Sequence, residues 1–85
     1  MPPYDLVLSE DAARFLAQAS RGPQRRLGVI LDEVKAAPFR PGDLQERDTH
    51  GRVCEILVAG DWLVTFWVDH AVREIRVVRL ESVED

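Results

Sequence analysis

Arg47, His50, Arg52 and Glu55 gather, within one short segment, the side chains that phosphate chemistry uses. Guanidinium groups grip phosphate oxygens with two donors at once and neutralise charge as it develops during transfer. His50 can give or take a proton near neutral pH, and Glu55 can act as a base. The plainer use of the same residues is a solvated loop in which Arg52 pairs with Asp48 or Glu55. Cys54 lies among them with no histidine fixed beside it by spacing, and reads as a small buried apolar residue. It is the single cysteine of the chain, so neither an internal disulfide nor a cysteine-rich zinc site can form. No metal and no cofactor is expected.

The elements that position these residues follow from the hydrophobic pattern. Tyr4–Leu8 is a short strand-like run. Ser9 is placed to cap a helix, with Glu10 and Asp11 in its first turn. Ala12, Phe15, Leu16 and Ala19 share one helical face, and Leu27, Ile30, Leu31 and Val34 repeat the spacing after Arg21-Gly22-Pro23. Ala37-Pro38 ends this second helix. Residues 38–51 are expected to be irregular because of Pro38, Pro41 and Gly42, with Phe39 and Leu44 pinning the loop to the core.

Three strands then follow closely: Arg52–Val58, Trp62–Asp69 and Arg73–Leu80. Cys54, Ile56 and Val58, with Trp62, Val64, Phe66 and Val68, are assigned to the core beneath the helices. Glu55, Leu57, Leu63, Thr65, Trp67 and Asp69 are assigned to the open face, where Trp67 can anchor a protein partner. Both faces of the last strand are partly apolar. Arg73, Arg76 and Arg79 recur every third residue, which alternates faces on a strand, so they form no continuous basic stripe. Arg76 and Arg79 suit acidic groups of a partner. Asp69-His70 at a turn fits an aspartate bonded to the turn backbone rather than a catalytic pair.

The chain has 85 residues, 46% of them hydrophobic and 31% charged, which describes a single globular domain spanning residues 1–85. No apolar run approaches a membrane span, and Met1-Pro2-Pro3-Tyr4-Asp5 lacks a signal pattern, so a cytoplasmic location is expected. The net charge of −4 disfavours broad nucleic-acid binding. A local arginine patch can still serve, because ten of the eleven basic residues are arginine. Genomic base composition would give the same bias.

The order β-α-α-β-β-β resembles the RelE/ParE superfamily of bacterial toxins over nearly the whole chain. The resemblance rests on YDLVLSEDAARFL, then AAPFRPGDLQERDTHGRVCEI, then LVAGDWLVTFWVDHAVREIRVV, including a loop of the P-x-x-x-G-D-L kind. It implies an α+β fold, a helical hairpin packed on an antiparallel sheet, and the toxin of a type II toxin–antitoxin system. It also implies a cognate antitoxin that covers the open sheet face and the last strand's free edge. RelE-like toxins cleave mRNA on the ribosome, and ParE-like ones poison DNA gyrase. The family's basic catalytic positions fall here at Glu55, Leu57 and Trp62, and Glu81-Ser82-Val83-Glu84-Asp85 holds no basic residue, tyrosine or histidine. The ribonuclease expectation therefore rests on Arg47, His50, Arg52 and Glu55. Its alternatives are a gyrase inhibitor and a non-catalytic interaction module, the latter homodimeric through the last strand and Trp67.

Overall fold

The structure, a computed structural model, describes residues 3–83; Met1, Pro2, Glu84 and Asp85 lie outside them. Along the chain run β1 (Asp5–Leu8), α1 (Glu10–Gln18), α2 (Arg21–Ala36), β2 (Leu44–Arg47), β3 (Val53–Ala59), β4 (Trp62–Asp69) and β5 (Glu74–Ser82). The strands stand in the order β1-β5-β4-β3-β2. Neighbours from β2 to β5 are antiparallel, whereas β1 runs parallel to β5 with Asp5 opposite Glu74 and Leu8 opposite Val77. The expected α+β fold, a helical hairpin on a sheet, is found. The sheet is mixed, however, and contains one strand more than the pattern indicated. The edge of β5 expected to be free is occupied by β1 over Glu74–Val77, and only its later part has no neighbouring strand.

Ser9 does more than the sequence pattern indicates. Its Oγ accepts the backbone N–H of Ala12 at 3.1 Å, capping α1 as expected. The same hydroxyl donates to the Val78 carbonyl at 2.6 Å. Val78 is the residue that the β4–β5 register skips, since Thr65 faces Arg79 and Phe66 faces Val77. Ser9 thus satisfies a carbonyl that the bulge leaves without a ladder partner. The bulge also resolves the mixed polarity of β5: Ile75 and Val77 join the core before it, and Leu80 after it. Ser9→Ala is expected to cost about 2 kcal/mol, one cap plus one partly buried hydrogen bond. Thermal unfolding followed by circular dichroism should show a midpoint lower by about 8–16 °C. A shift of only a degree or two would mean that α1 does not hold the bulge.

The second helix buries Leu27, Leu31 and Val34 at the predicted spacing, and Ile30 packs against the same cluster. Pro23 sits in the first turn, where its missing N–H is not needed. These side chains meet Trp62, Val64 and Phe66 of β4 and Ile75, Val77 and Leu80 of β5.

The face assignment of β3 is reversed relative to the expectation. Ala59 pairs with Trp62, so Gly60 and Asp61 form a two-residue turn, with Gly60 at φ 59°. Paired residues share a face, which places Leu57 opposite Val64 on the helix side. Cys54, Ile56 and Val58 therefore lie on the far face, with Leu63 and Thr65. Cys54 and Thr65 are nevertheless fully buried there. Arg79 lies across this face, bound to Glu46 at 3.0 Å and Glu81 at 2.7 Å and reaching Thr65 Oγ1 at 3.4 Å.

The segment expected to be irregular contains β2, an edge strand built by contact with β3. Gly42 N donates to Glu55, Asp43 N donates to the Ile56 carbonyl at 2.8 Å, and the Asp43 carboxylate accepts Val58 N at 2.8 Å. Phe39 and Leu44 do not pin this segment to the core; they are 72% and 57% exposed.

Candidate functional site

Pairing between β3 and β4 ends at Glu55–Phe66, although β3 begins at Val53 and β4 continues to Asp69. The two strands part beyond that point. The loop that leaves α2 crosses the gap, so that Phe39 and Arg40 face Arg52, Glu55, Trp67 and His70 around a cleft of about 490 Å³. Such a volume is within the ordinary range for small-ligand sites.

Each polar group in the cleft is set by its neighbours. Glu55 Oε1 accepts Gly42 N at 2.8 Å, and its Oε2 accepts the Gln45 side chain at 3.0 Å. The Arg52 guanidinium lies over the Trp67 ring, 3.9 Å from its centroid, a cation–π stack. The Arg40 side chain has no partner among the described residues. His70 Nδ1 is 2.7 Å from the Tyr4 hydroxyl, and its ring stacks on Phe39 at 4.7 Å and 9°. Tyr4 meets both rings edge-on. Asp69 accepts Ala71 N within the β4–β5 turn, as its position suggested, and Arg73 closes that turn at φ 53°.

Of the four residues singled out for phosphate chemistry, Arg52 and Glu55 line this cleft. Arg47 and His50 lie outside it, in the β2–β3 hairpin. Arg47 Nη1 donates to the Gly51 carbonyl at 2.8 Å. His50 contributes its backbone N–H to Asp48 Oδ1 at 2.8 Å. Trp67 carries Arg52 on its ring, and Arg76 lies 5.7 Å from the ring centroid while pairing with Glu74. Arg79 is held on the far sheet face, partly exposed, by Glu81 and Glu46, whose hydrogen bonds push its guanidinium pKa further up. Sequence reasoning weighed His70 only as part of a turn and Phe39 only as a loop anchor, and it placed neither of them nor Tyr4 in a site, because three separate segments bring them together. The one sequence signal was an exposed-type loop that spends a phenylalanine between two prolines.

Asp48 organises the hairpin beside the cleft. The Arg52 backbone N–H, more than any other contact, holds its carboxyl below the usual value, and the His50 N–H and the Arg52 charge add to this. The Arg52 guanidinium is 3.8 Å away, an ion pair of the kind the sequence allowed. A folded-state pKa below the unfolded one contributes stability that is complete above about pH 4 and lost as pH falls through the lower folded value. The amide resonances of His50 and Arg52 should therefore titrate together below about pH 4. Asp48→Asn should abolish that titration; an unchanged profile in the variant would contradict the assignment. Burial pushes the Cys54 thiol up, and the Asp48 and Glu46 carboxylates add to it, so no thiolate nucleophile is offered.

Two helices on a five-stranded mixed sheet, with the helices on one face and β1 inserted parallel to β5, define an α+β fold found among the RelE toxins. The chain is similar to the RelBE2 toxin–antitoxin complex from Mycobacterium tuberculosis, with 15% identity and a TM-score of 0.78, over 95% of this chain and 99% of that one. It is similar to the isolated Escherichia coli RelE toxin at 16% identity and TM-score 0.77, over 96% of this chain and 86% of that one. The archaeal RelE–RelB complex from Pyrococcus horikoshii matches at 16% identity and TM-score 0.71, over 96% and 97% of the two chains. No protein-family model matches the chain, and no curated protein matches it. Likeness at this level of identity is a likeness of fold.

Proposed function

We propose that the protein is the toxin of a type II toxin–antitoxin pair. The observation that carries this reading is the RelE fold spanning nearly the full length of this chain and of its structural neighbours. Several of those neighbours are complexes of a toxin with its antitoxin, which supports a cognate antitoxin here. Its contact surface is the far sheet face, where Leu44 and Val58 are exposed and Trp67, Arg76 and Arg79 lie in reach. Arg79 would have to exchange Glu46 or Glu81 for an antitoxin carboxylate. The open strand edges are those of β1, β2 and the part of β5 beyond Val77.

The activity best supported is cleavage of mRNA on the ribosome, in the cytoplasm. Arg52 and Glu55 supply a cation and a carboxylate in the cleft, with Arg47 and His50 in the adjacent hairpin to contact the strand that enters it. A non-catalytic module or a gyrase inhibitor of the same fold is favoured by one observation, the acidic far face of Glu46 and Glu81. Induction of the chain with and without the neighbouring gene tests the reading. Growth arrest relieved by the neighbour is expected, with mRNA cut in a translating extract and gyrase supercoiling unaffected. Normal growth of cells carrying the lone chain would count against a toxin, and inhibited supercoiling against the ribonuclease.

A further inference from the structure

We propose that His70 is the proton-transfer residue of the cleft and Tyr4 its positioning residue. They would act on one RNA nucleotide whose phosphate is held by Arg40 and Arg52. This rests on the ribonuclease reading above but names residues that the resemblance does not supply. The chain has two histidines, and only one of them has an oriented imidazole. His50 is held by its backbone N–H alone. His70 is fixed in plane by Phe39 and in rotation by Tyr4, and among the described residues its Nε2 has no protein partner.

The choice of a tyrosine hydroxyl as the orienting group matters. A hydroxyl can accept from Nδ1–H, a proton the ring keeps both as imidazolium and as the neutral form left when Nε2 gives up its proton. The ring can therefore pass through both protonation states without losing its support or turning. The charged groups around it are Arg40 from the loop after α2, Arg52 from the turn before β3 and Glu55 from β3. Arg52 is shared with Asp48 at 3.8 Å, whereas the Arg40 guanidinium is unpaired among the described residues and is the cation the cleft has free for a phosphate. That arrangement suits a single phosphate rather than a long nucleic-acid track. Phe39 is 72% exposed and offers the ring face away from His70 for a base to stack on, whereas a base on Trp67 would displace Arg52 from its ring.

The step balances as follows. The 2′-oxygen–phosphorus bond forms and the phosphorus–O5′ bond breaks, leaving a 2′,3′-cyclic phosphate and a 5′-hydroxyl. Glu55, whose two oxygens each keep a lone pair beyond the Gly42 and Gln45 bonds, takes the 2′-hydroxyl proton. The His70 imidazolium gives its Nε2 proton to O5′. Arg40 and Arg52 meet the charge that develops on the phosphoryl oxygens.

Two measurements on the full chain test this. Adenosine 3′-monophosphate should quench Trp67 fluorescence saturably, over the steady background of the core residue Trp62, and Trp67→Phe should remove the signal. Arg52→Ala and Arg40→Ala should each weaken that binding about tenfold or more, the loss of a charge-assisted contact. In a translating extract His70→Gln should lower the cleavage rate about 100-fold or more, the loss of one proton-transfer group, with at most a few-fold change in affinity for the monophosphate. Imidazole added to His70→Gly should restore part of the rate. Tyr4→Phe should retain cleavage but alter its pH profile, which a purely structural tyrosine would not do. Wild-type cleavage by a folded His70→Gln variant overturns the proposal and leaves the ribonuclease reading intact. A wild-type chain that binds the monophosphate and cuts nothing overturns both the ribonuclease reading and the role of His70. Absence of quenching removes the nucleotide site itself.

Discussion

Gly42→Ala is expected to destabilise the protein by about 3 kcal/mol, a midpoint lower by roughly 12–24 °C. A Cβ at this position would stand 2.7 Å from the Ile56 carbonyl oxygen and 2.8 Å from its carbonyl carbon and amide nitrogen. The opposing atoms are strand backbone, so no side chain can swing aside. The loop must lift, and with it go the bonds from Gly42 N to Glu55, from Asp43 N to Ile56, and from Val58 N to Asp43. Those three bonds are worth about 1 kcal/mol each. The same change frees the Glu55 carboxylate and opens the wall of the cleft. Ligand binding should therefore fall together with stability in this variant. Chemical denaturation checks the first part, and a loss below about 1 kcal/mol would show that the loop does not approach β3 this closely.

Leu27→Ala should be more damaging still, by about 3–5 kcal/mol. Leu27 is wholly buried at the centre of the contact between α2 and the sheet, and the helix axis prevents its neighbours from closing the space. A chain of this length has a total stability of about 4–13 kcal/mol, so the variant loses a large share of it. Leu27→Met keeps the volume and should cost less than about 1.5 kcal/mol. Urea denaturation of the pair separates cavity formation from a general intolerance at the site. Equal losses in both variants would argue that the position is sensitive to shape rather than to missing volume.

The helical half of the molecule could be read from its residues. Ser9, the apolar stripes of both helices and the stop at Ala37-Pro38 act within one or two turns, so local spacing carries their information. The face of β3 was misread for a traceable reason. Val58 and Trp62 cannot both face the helices when Ala59 pairs with Trp62, because a two-residue turn ties the parity of the two strands together. β2 gave no signal because Leu44-Gln45-Glu46-Arg47 carries no β-branched residue; its pairing comes from Asp43 and the β3 backbone. Arg52 and Glu55 were recognisable by type and spacing. Arg40, Trp67 and His70 belong to the same cleft only because the β3–β4 ladder stops early, and nothing in the linear pattern fixes where a ladder stops.

The parallel pairing of β1 with β5 has a kinetic consequence. The helical hairpin and the β3–β4 hairpin close short loops and can form on the microsecond scale. Joining Asp5 to Glu74 instead closes almost the entire chain, a step whose entropy cost slows folding toward the regime of non-local topologies. Tyr4 immediately precedes β1 and His70 lies in the turn that leads into β5. Their hydrogen bond therefore cannot exist in any chain folded only as far as β4. A nascent or partly assembled molecule lacks this support for the His70 ring, and the cleft is completed by the same closure that completes the sheet.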